Sequence, residues 1–475
     1  MSITEDLGRI HANVEKHKLS YPEEAGFGEL HRPEPAYSHI DPKRYTSPEF
    51  LQREFDSLWS GTWQMACRAE QVAEPGDFHE YSIGRQSYLV VHGQDGRLRA
   101  FHNVCPHRGN LLKPSCGSAK ELRCGYHAWA WTLDGRLKDI PDRQLFPEIK
   151  DDDYALHEVA CDQWGGFVFI HPVPAEAGSL REFLEPLATE VDKYHLDRFR
   201  ASMHAEIVLD CNWKVALEAF LEAYHVGATH PQLMTFLDDV NTAFSEYGRH
   251  AMMIVPYGVP SMRLEHVDPA EIYESYYSRS ASGFRHSKQG KGEDAAGMPR
   301  QQTVDLPPQL FDEDGEWRLD ESVREYLIKQ NRARAAELGH DYSELSDAQM
   351  VDDYDYHIFP NLKFNAHAGG ALTFRSRPHP TDPNLCVFDV YTLVWDNEHE
   401  ERAEVAPTIA VNVKEVSMGQ VLDQDFSNLP HVQRGLHNSA LEHLTVGGSE
   451  MRVIHFQKNL IEHLEAAESA RAGQD

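Results

Sequence analysis

The sequence predicts an α+β protein. A small all-β unit carries metal-type residues in loops at one end, and a larger unit follows with an antiparallel sheet flanked by helices. Three observations predict it. Between about residues 64 and 173 the chain runs in short stretches broken by turn signals, Gly93-Gln94-Asp95-Gly96 and Asp134-Gly135 among them. Inside that region, Cys105-Pro106-His107-Arg108-Gly109 and Cys124-Gly125-Tyr126-His127 set two thiols and two imidazoles in paired tips. Beyond it, helical stretches give way to long strands. In 386–395, Val387, Asp389, Tyr391 and Leu393 alternate with Phe388, Val390, Thr392 and Val394.

A chain of 475 residues has room for two to three domains with ample core. Hydrophobic residues at 41% and charged residues at 25% are ordinary for a globular protein in water. The 76 acidic residues against 45 basic ones give a net charge of −31. That balance argues against nucleic acid and anionic membrane as partners and suits either docking to a basic patch on another protein or solubility alone. The start, Met1-Ser2-Ile3-Thr4-Glu5-Asp6, has no signal-peptide pattern, and no run reaches the about 18 apolar residues of a membrane span. Seven scattered cysteines do not make a disulfide scaffold. A reducing cytoplasm is expected.

In chain order, residues 1–45 read as a proline-broken N-terminal arm. Ser47-Pro48-Glu49 opens a helix whose apolar face is Phe55, Leu58, Trp59 and Trp63. Strands are expected over 81–92, 98–103, 129–132 and 165–171, which places a first domain at 46–173 and a second at 174–475. The second opens with a helix marked by Leu180, Phe183, Leu184 and Leu187. A strand over 205–209 and a central helix from Trp213 to about Tyr224 follow. Residues 280–300, rich in Gly, Ser, Lys, Gln and Arg, read as a mobile surface loop. A charged helix over 316–338, strands over 356–362 and 372–374, and a tail helical around a break at Pro430 complete the chain.

Zinc sites with two cysteines and two histidines usually pair like with like. Here each tip carries one of each. That arrangement suits a [2Fe-2S] cluster with both thiolates on one iron and both imidazoles on the other. A structural zinc knuckle is the competing reading. With Ala128-Trp129 added, the two tips resemble the Rieske motif of the ring-hydroxylating, non-haem iron oxygenases. The likeness extends over 103–111, 124–135 and 58–78, including Pro75-Gly76-Asp77. It implies that Cys105, His107, Cys124 and His127 hold a Rieske [2Fe-2S] cluster, and that the second domain is a helix-grip (START-like) catalytic domain.

Glu222 and His225 are three residues apart and would share a helix face. His230 follows Gly227, where the helix is expected to end. Two imidazoles and a distant carboxylate make the facial triad of a mononuclear iron(II) site, with hydrogen-bonding helix-end histidines as the bland reading. The run from Asn212-Trp213-Lys214 to His225 and His230 resembles the iron motif of the same family. The resemblance implies that His225 and His230 are ligands. It also implies a third acid eight residues before a glutamine, which selects Asp425 before Gln433 and keeps Asp423 in reserve. Asp425, Leu429 and Val432 are expected to face inward together. The resemblance further implies that Glu222 occupies the position that, in the family, bridges the two metal sites across a subunit boundary. That residue is aspartate in many members and glutamate in branches acting on non-aromatic or quaternary ammonium substrates.

What the resemblance implies is the oxygenase component of a multicomponent system. It would take O2, and electrons from NAD(P)H through a separate reductase or ferredoxin, since no Gly-x-Gly-x-x-Gly fingerprint is present. Its product would be a hydroxylated or cis-dihydroxylated aromatic or similar apolar substrate, as in aromatic hydrocarbon catabolism. The alternative is a monooxygenase or demethylase acting on a non-aromatic or quaternary ammonium substrate. A reading from another class is a non-redox, zinc-stabilised scaffold. The family forms trimers or larger assemblies, in some members with a beta subunit. Phe220, the strands over 359–364 and Phe374 are expected to line the pocket, with Arg375 and Arg377 as candidate anchors for a carboxylate. Glu218 is expected to be a salt-bridged helix residue.

Overall fold

The computed structural model describes residues 31–283, 306–312, 316–396, 408–415 and 417–473. Residues 1–30 of the expected arm lie outside these, as does most of the segment expected to be mobile. The helix Pro269–Gly283 takes the first few residues of that segment.

The metal-bearing tips sit on two small sheets. One has seven strands in the spatial order Gln64–Arg68, Phe167–His171, Glu158–Trp164, Leu98–His102, Gln86–His92, Asp77–Ile83 and Gly117–Ser118. The other has three: Leu122–Arg123, Ala130–Trp131 and Leu137–Asp139. Phe78, Leu89, Phe101, Leu122, Trp129 and Trp131 share one core with Cys105 and Cys124. The strand expected over 81–92 is instead a hairpin folded at Gly84. There φ is +59°, and any side chain would strike the Phe55 ring.

The larger sheet has eight strands in the order Ala243–Tyr247, His250–Val255, Asp353–Ile358, Leu362–His367, Gly370–Pro378, Cys386–Trp395, Phe199–Leu209 and Thr408–Val411. Only the last pair is parallel. The stretch expected as one strand over 356–362 is the end of one strand, a turn, and the start of the next. Strand alternation gives the sheet two distinct faces. Tyr354, Tyr356, Ile358 and Phe364 enter a core with Tyr194 and Leu187. Asp353, Asp355 and His357 point the other way, with Lys363 and Asn365 beside them on the paired strand.

Helices cover part of that second face. Phe374 and Phe388 of the sheet share a core with Trp213, Phe426, Leu429, Phe456 and Leu460. The helix Pro48–Ser57 starts where expected, with Ser47 accepting the Phe50 N–H. The expected charged helix is Val323–Glu337, opened by a Ser322/Glu325 capping box. The helix Gln420–Leu436 runs through Pro430 instead of breaking there. Buried Phe426 and Leu429 before the proline, and Gln433 and Leu436 after it, hold both halves on one axis. Among the described residues, no helix is long and apolar enough to cross a membrane.

Candidate metal centres

Each Cys/His tip is a backbone turn that closes on its own cysteine. In the first, Cys105 N–H donates to Asn110 O at 2.8 Å and Gly109 N–H donates to Cys105 O at 2.9 Å. In the second, Cys124 N–H donates to Trp129 O at 2.8 Å and Ala128 N–H to Cys124 O at 3.1 Å. Gly109 and Ala128 both take positive φ, +74° and +59°. The tips therefore present matched ligands: both cysteines are buried, and the His107 and His127 rings lie 4.6 Å apart at 72°. His107 also stacks on Trp129 at 4.9 Å.

Polar groups are already aimed at the sulfur atoms. Tyr126 N–H and Asn110 Nδ2 reach Cys124 Sγ at 3.4 and 3.7 Å. Burial raises the Cys105 thiol. At Cys124 burial acts in the same direction but is outweighed by the N–H groups of Tyr126 and His127, with help from Cys105 and Asn110, and this thiol lies below its ordinary value. His107 Nδ1 is buried with no hydrogen-bond partner, an orphan that a metal satisfies. Two thiols, two imidazoles and an orphaned ring nitrogen fit a [2Fe-2S] cluster.

The second centre assembles from two distant segments. His225 and His230 sit at the two ends of the short helix Val226–Thr229, and Asp425 comes from Gln420–Leu436. Their ligand atoms all lie within 4.8 Å of one another, the one such group of three or more among the described residues. Each imidazole is oriented by a partner on Nδ1. His225 Nδ1 meets Glu222 Oε1 at 2.6 Å, and His230 Nδ1 meets Gln424 Oε1 at 2.9 Å. Both partners are acceptors, so Nδ1 carries the proton and Nε2 is left for a metal. The two Nε2 atoms converge on Asp425 Oδ1, at 3.7 Å from His225 and 2.8 Å from His230. Burial alone would depress His225; hydrogen bonding and charge from Glu222, with Asp425, raise it.

Several expectations change here. The central helix stops at Glu218, so Glu222 and His225 do not share a continuous helix. The cause is Arg452, whose guanidinium takes the carbonyls of Phe220 at 3.2 Å and Leu221 at 2.9 Å. Glu222 keeps its place by accepting the His225 N–H at 3.0 Å. Gly227 lies inside the second short helix, where the Arg263 side chain packs within 3.1 Å of a would-be Cβ. Asp423 is not at the centre; it accepts the Met418 N–H at 2.7 Å in the helix's first turn. Val432 is exposed, and Gln433 takes the inward position. Glu218 has no ion-pair partner among the described residues; it accepts from the Tyr45 hydroxyl at 2.9 Å and Gln457 Nε2 at 2.5 Å. Arg375 and Arg377 are no substrate anchors. Both bind Asp389 at 2.9 Å, and Arg375 also ties down the Ala66 carbonyl.

Of the expected pocket residues, Phe220 and Phe374 do meet, at 4.5 Å, and Phe388 and Phe426 extend the cluster. Phe364 points to the opposite face, against Phe167, and Phe359 packs on Phe456. Sequence reading missed a polar wall. Arg452 pairs with Asp355 at 3.0 Å, Lys363 with Asp355 at 3.1 Å, and Lys363 Nζ with Asn365 Oδ1 at 2.5 Å. The signal was present as charged residues alternating with apolar ones in Asp353-Tyr354-Asp355-Tyr356 and Lys363-Phe364-Asn365-Ala366.

Comparison with known proteins places both centres. Residues 62–150 match the Rieske [2Fe-2S] domain, and residues 189–466 match the ring hydroxylating alpha subunit (catalytic domain). Choline monooxygenase, chloroplastic, of Beta vulgaris is 32% identical over 201 residues, which is 41% of this chain and 45% of that protein. Biphenyl 2,3-dioxygenase subunit alpha of Rhodococcus jostii is 30% identical over 198 residues, 40% of this chain and 43% of that protein. The match thus spans about half the length of these curated relatives. A solved quaternary ammonium Rieske monooxygenase shares the fold with a TM-score of 0.61 at 16% identity, over 91% of this chain and 96% of that one. With a [2Fe-2S] domain leading a His/His/Asp cluster that could hold a metal, this chain belongs to the family of Rieske-type ring-hydroxylating alpha subunits.

Proposed function

We propose that this chain is the oxygenase component of a Rieske monooxygenase acting on a quaternary ammonium or comparable cationic amine. The observation that carries the reading is a buried charged wall: Asp353, Asp355 and Lys363 on one sheet face, with Arg452 reaching Asp355 from the helix Met451–Ala472. A pocket for an aromatic hydrocarbon would present apolar side chains there. Relatives named for choline, carnitine and glycine betaine support the same reading over arene dihydroxylation.

In this reading Cys105, His107, Cys124 and His127 hold the cluster in the domain 46–173, and His225, His230 and Asp425 hold iron in the domain 174–475. When bound, these groups supply one-electron storage and the reductive activation of dioxygen. The protein's own residues fix the geometry. Glu222 and Gln424 set the tautomers of His225 and His230, so that both Nε2 atoms face one point. Phe220, Phe374 and Phe388 keep water from the apolar side of that point. Electrons come from NAD(P)H through a separate reductase or ferredoxin. The working unit is a trimer or larger, in which Glu222 also reaches a cluster histidine of the neighbouring copy. The exposed Val104, Leu111 and Tyr126 beside the tips, and exposed Tyr224 beside His225, are surfaces that such an assembly would bury.

Turnover under 18O-labelled dioxygen with a reductase tests the reading, with choline, carnitine and glycine betaine set against the aromatic substrates naphthalene and biphenyl. One labelled atom in the product and one in water supports it. Two labelled atoms in a cis-diol, formed only from aromatic substrates, supports dioxygenation instead.

A further inference from the structure

Within the polar wall, Asp353 has no lysine or arginine ion pair among the described residues; its near partner is the His367 ring. Register pairs Asp355 with Asn365 and Tyr354 with Ala366, so Asp353 shares a face with Asn365 at the end of the same strand pair. Asp353 is 8% exposed. Its Oδ2 accepts from Asn365 Nδ2 at 2.7 Å. Its Oδ1 is buried without a hydrogen-bond donor, and His367 Nε2 approaches it to 3.3 Å out of alignment. Asp355 is different: Arg452 and Lys363 both sit on it.

This face looks toward the proposed iron centre. Arg452 links Asp355 to the carbonyls of Phe220 and Leu221, immediately before Glu222. Met253 and Val255 of the adjacent strand pack with Ala223 and Val226, which flank His225. Lys363 Nζ lies 5.6 Å from the Phe220 ring and 5.0 Å from the Phe374 ring. Phe220, His225, His367 and Leu372 on and around this face are half-buried.

We infer that Asp353 is the specificity-determining carboxylate of the substrate site, receiving the positive charge of an ammonium group on its unpartnered oxygen. The inference rests on the cationic-substrate reading above. Burial raises the Asp353 carboxyl and lowers His367, so burial favours the neutral form of each, and an incoming cation would supply the charge that favours the Asp353 carboxylate. An alkylammonium ion offers weakly hydrated charge that a buried carboxylate can hold without a directional donor. Aromatic faces add to such a site: the Tyr257 ring lies 6.3 Å from His367 and 5.2 Å from Phe236.

The test is calorimetric binding to the metal-loaded protein, with choline and its uncharged carbon isostere 3,3-dimethylbutan-1-ol as probes. The wild type should bind choline more tightly than the isostere. Asp353→Asn should weaken choline on the order of tenfold or more while leaving the isostere unchanged. Asp353→Glu should restore part of the choline affinity. Unchanged isostere binding and an unchanged visible spectrum of the cluster report that the variants fold. Wild-type preference for choline that persists in Asp353→Asn overturns the anchor and leaves the substrate reading standing. No preference for choline in the wild type, including no binding of either probe, overturns both.

Discussion

Gln433 Oε1 accepts the backbone N–H of Asn212 at 2.8 Å, and this contact joins the two segments that supply the triad. Asn212 caps the helix that leads to His225 by accepting the Lys214 N–H at 3.0 Å. Gln433 lies two turns beyond Asp425 on the other helix. Its Nε2 donates to Asn384 Oδ1 at 2.8 Å, which fixes the side chain from a third direction.

Replacing Gln433 with leucine leaves a buried N–H unsatisfied, at a cost of about 1–3 kcal/mol. The expected outcome is a lower melting temperature and reduced retention of the mononuclear iron, with acid-labile sulfide unchanged. Iron-to-sulfide ratios and thermal unfolding check it.

Asp425 and Asp423 separate cleanly. Asp425→Ala should lose the mononuclear iron and keep the cluster spectrum. Asp423→Ala removes a contact to the Met418 N–H in the first turn of the helix and should cost about 1 kcal/mol of stability with both metals retained. Loss of iron in the Asp423 variant alone would reverse the ligand assignment.

Glu222 holds His225 through both its ring and its backbone N–H. Glu222→Ala should keep both metals and slow the coupled step on the order of 10–100-fold. Single-turnover reoxidation of the reduced cluster, followed by its visible absorbance, reads that step directly. Normal reoxidation would refute the bridge.

Glu190 gives stability a pH dependence. Burial pushes its carboxyl up to about 7, against Lys193 at 2.9 Å, Gln349 Nε2 at 2.5 Å and the Tyr356 hydroxyl at 3.4 Å. A raised acid binds its proton more tightly when folded, so its contribution is fully present below the ordinary carboxylate range. It is lost as pH rises through about 7. Melting temperature should therefore fall across that window, and Glu190→Gln should flatten the slope.

The candidate metal ligands of the first centre are legible because their pattern is written in short spacings. Cys105, His107, Cys124 and His127 need only two turns to meet. The family resemblance, which implies an acid eight residues before a glutamine, singles out Asp425, and in the structure Gln433 anchors that helix on Asn212. The break after Glu218 was not legible, because its cause is Arg452, more than two hundred residues away in sequence. The fate of Arg375 and Arg377 was hidden at shorter range, by a partner on the next strand, fourteen and twelve residues on. Sequence marks them as cations on a strand, and only the fold shows Asp389 between them. The polar wall left a trace in the alternation of its two strands. That trace says one face is polar and does not say whether solvent or a substrate site lies beyond it.

The most direct measurement is iron, zinc and acid-labile sulfide per chain on anaerobically purified protein, with its visible spectrum before and after dithionite. Two occupied centres give about three irons and two sulfides per chain in a red-brown sample that bleaches on reduction. About one zinc per chain, with no sulfide and no colour, would contradict the paired redox centres on which the proposed oxygenase chemistry depends.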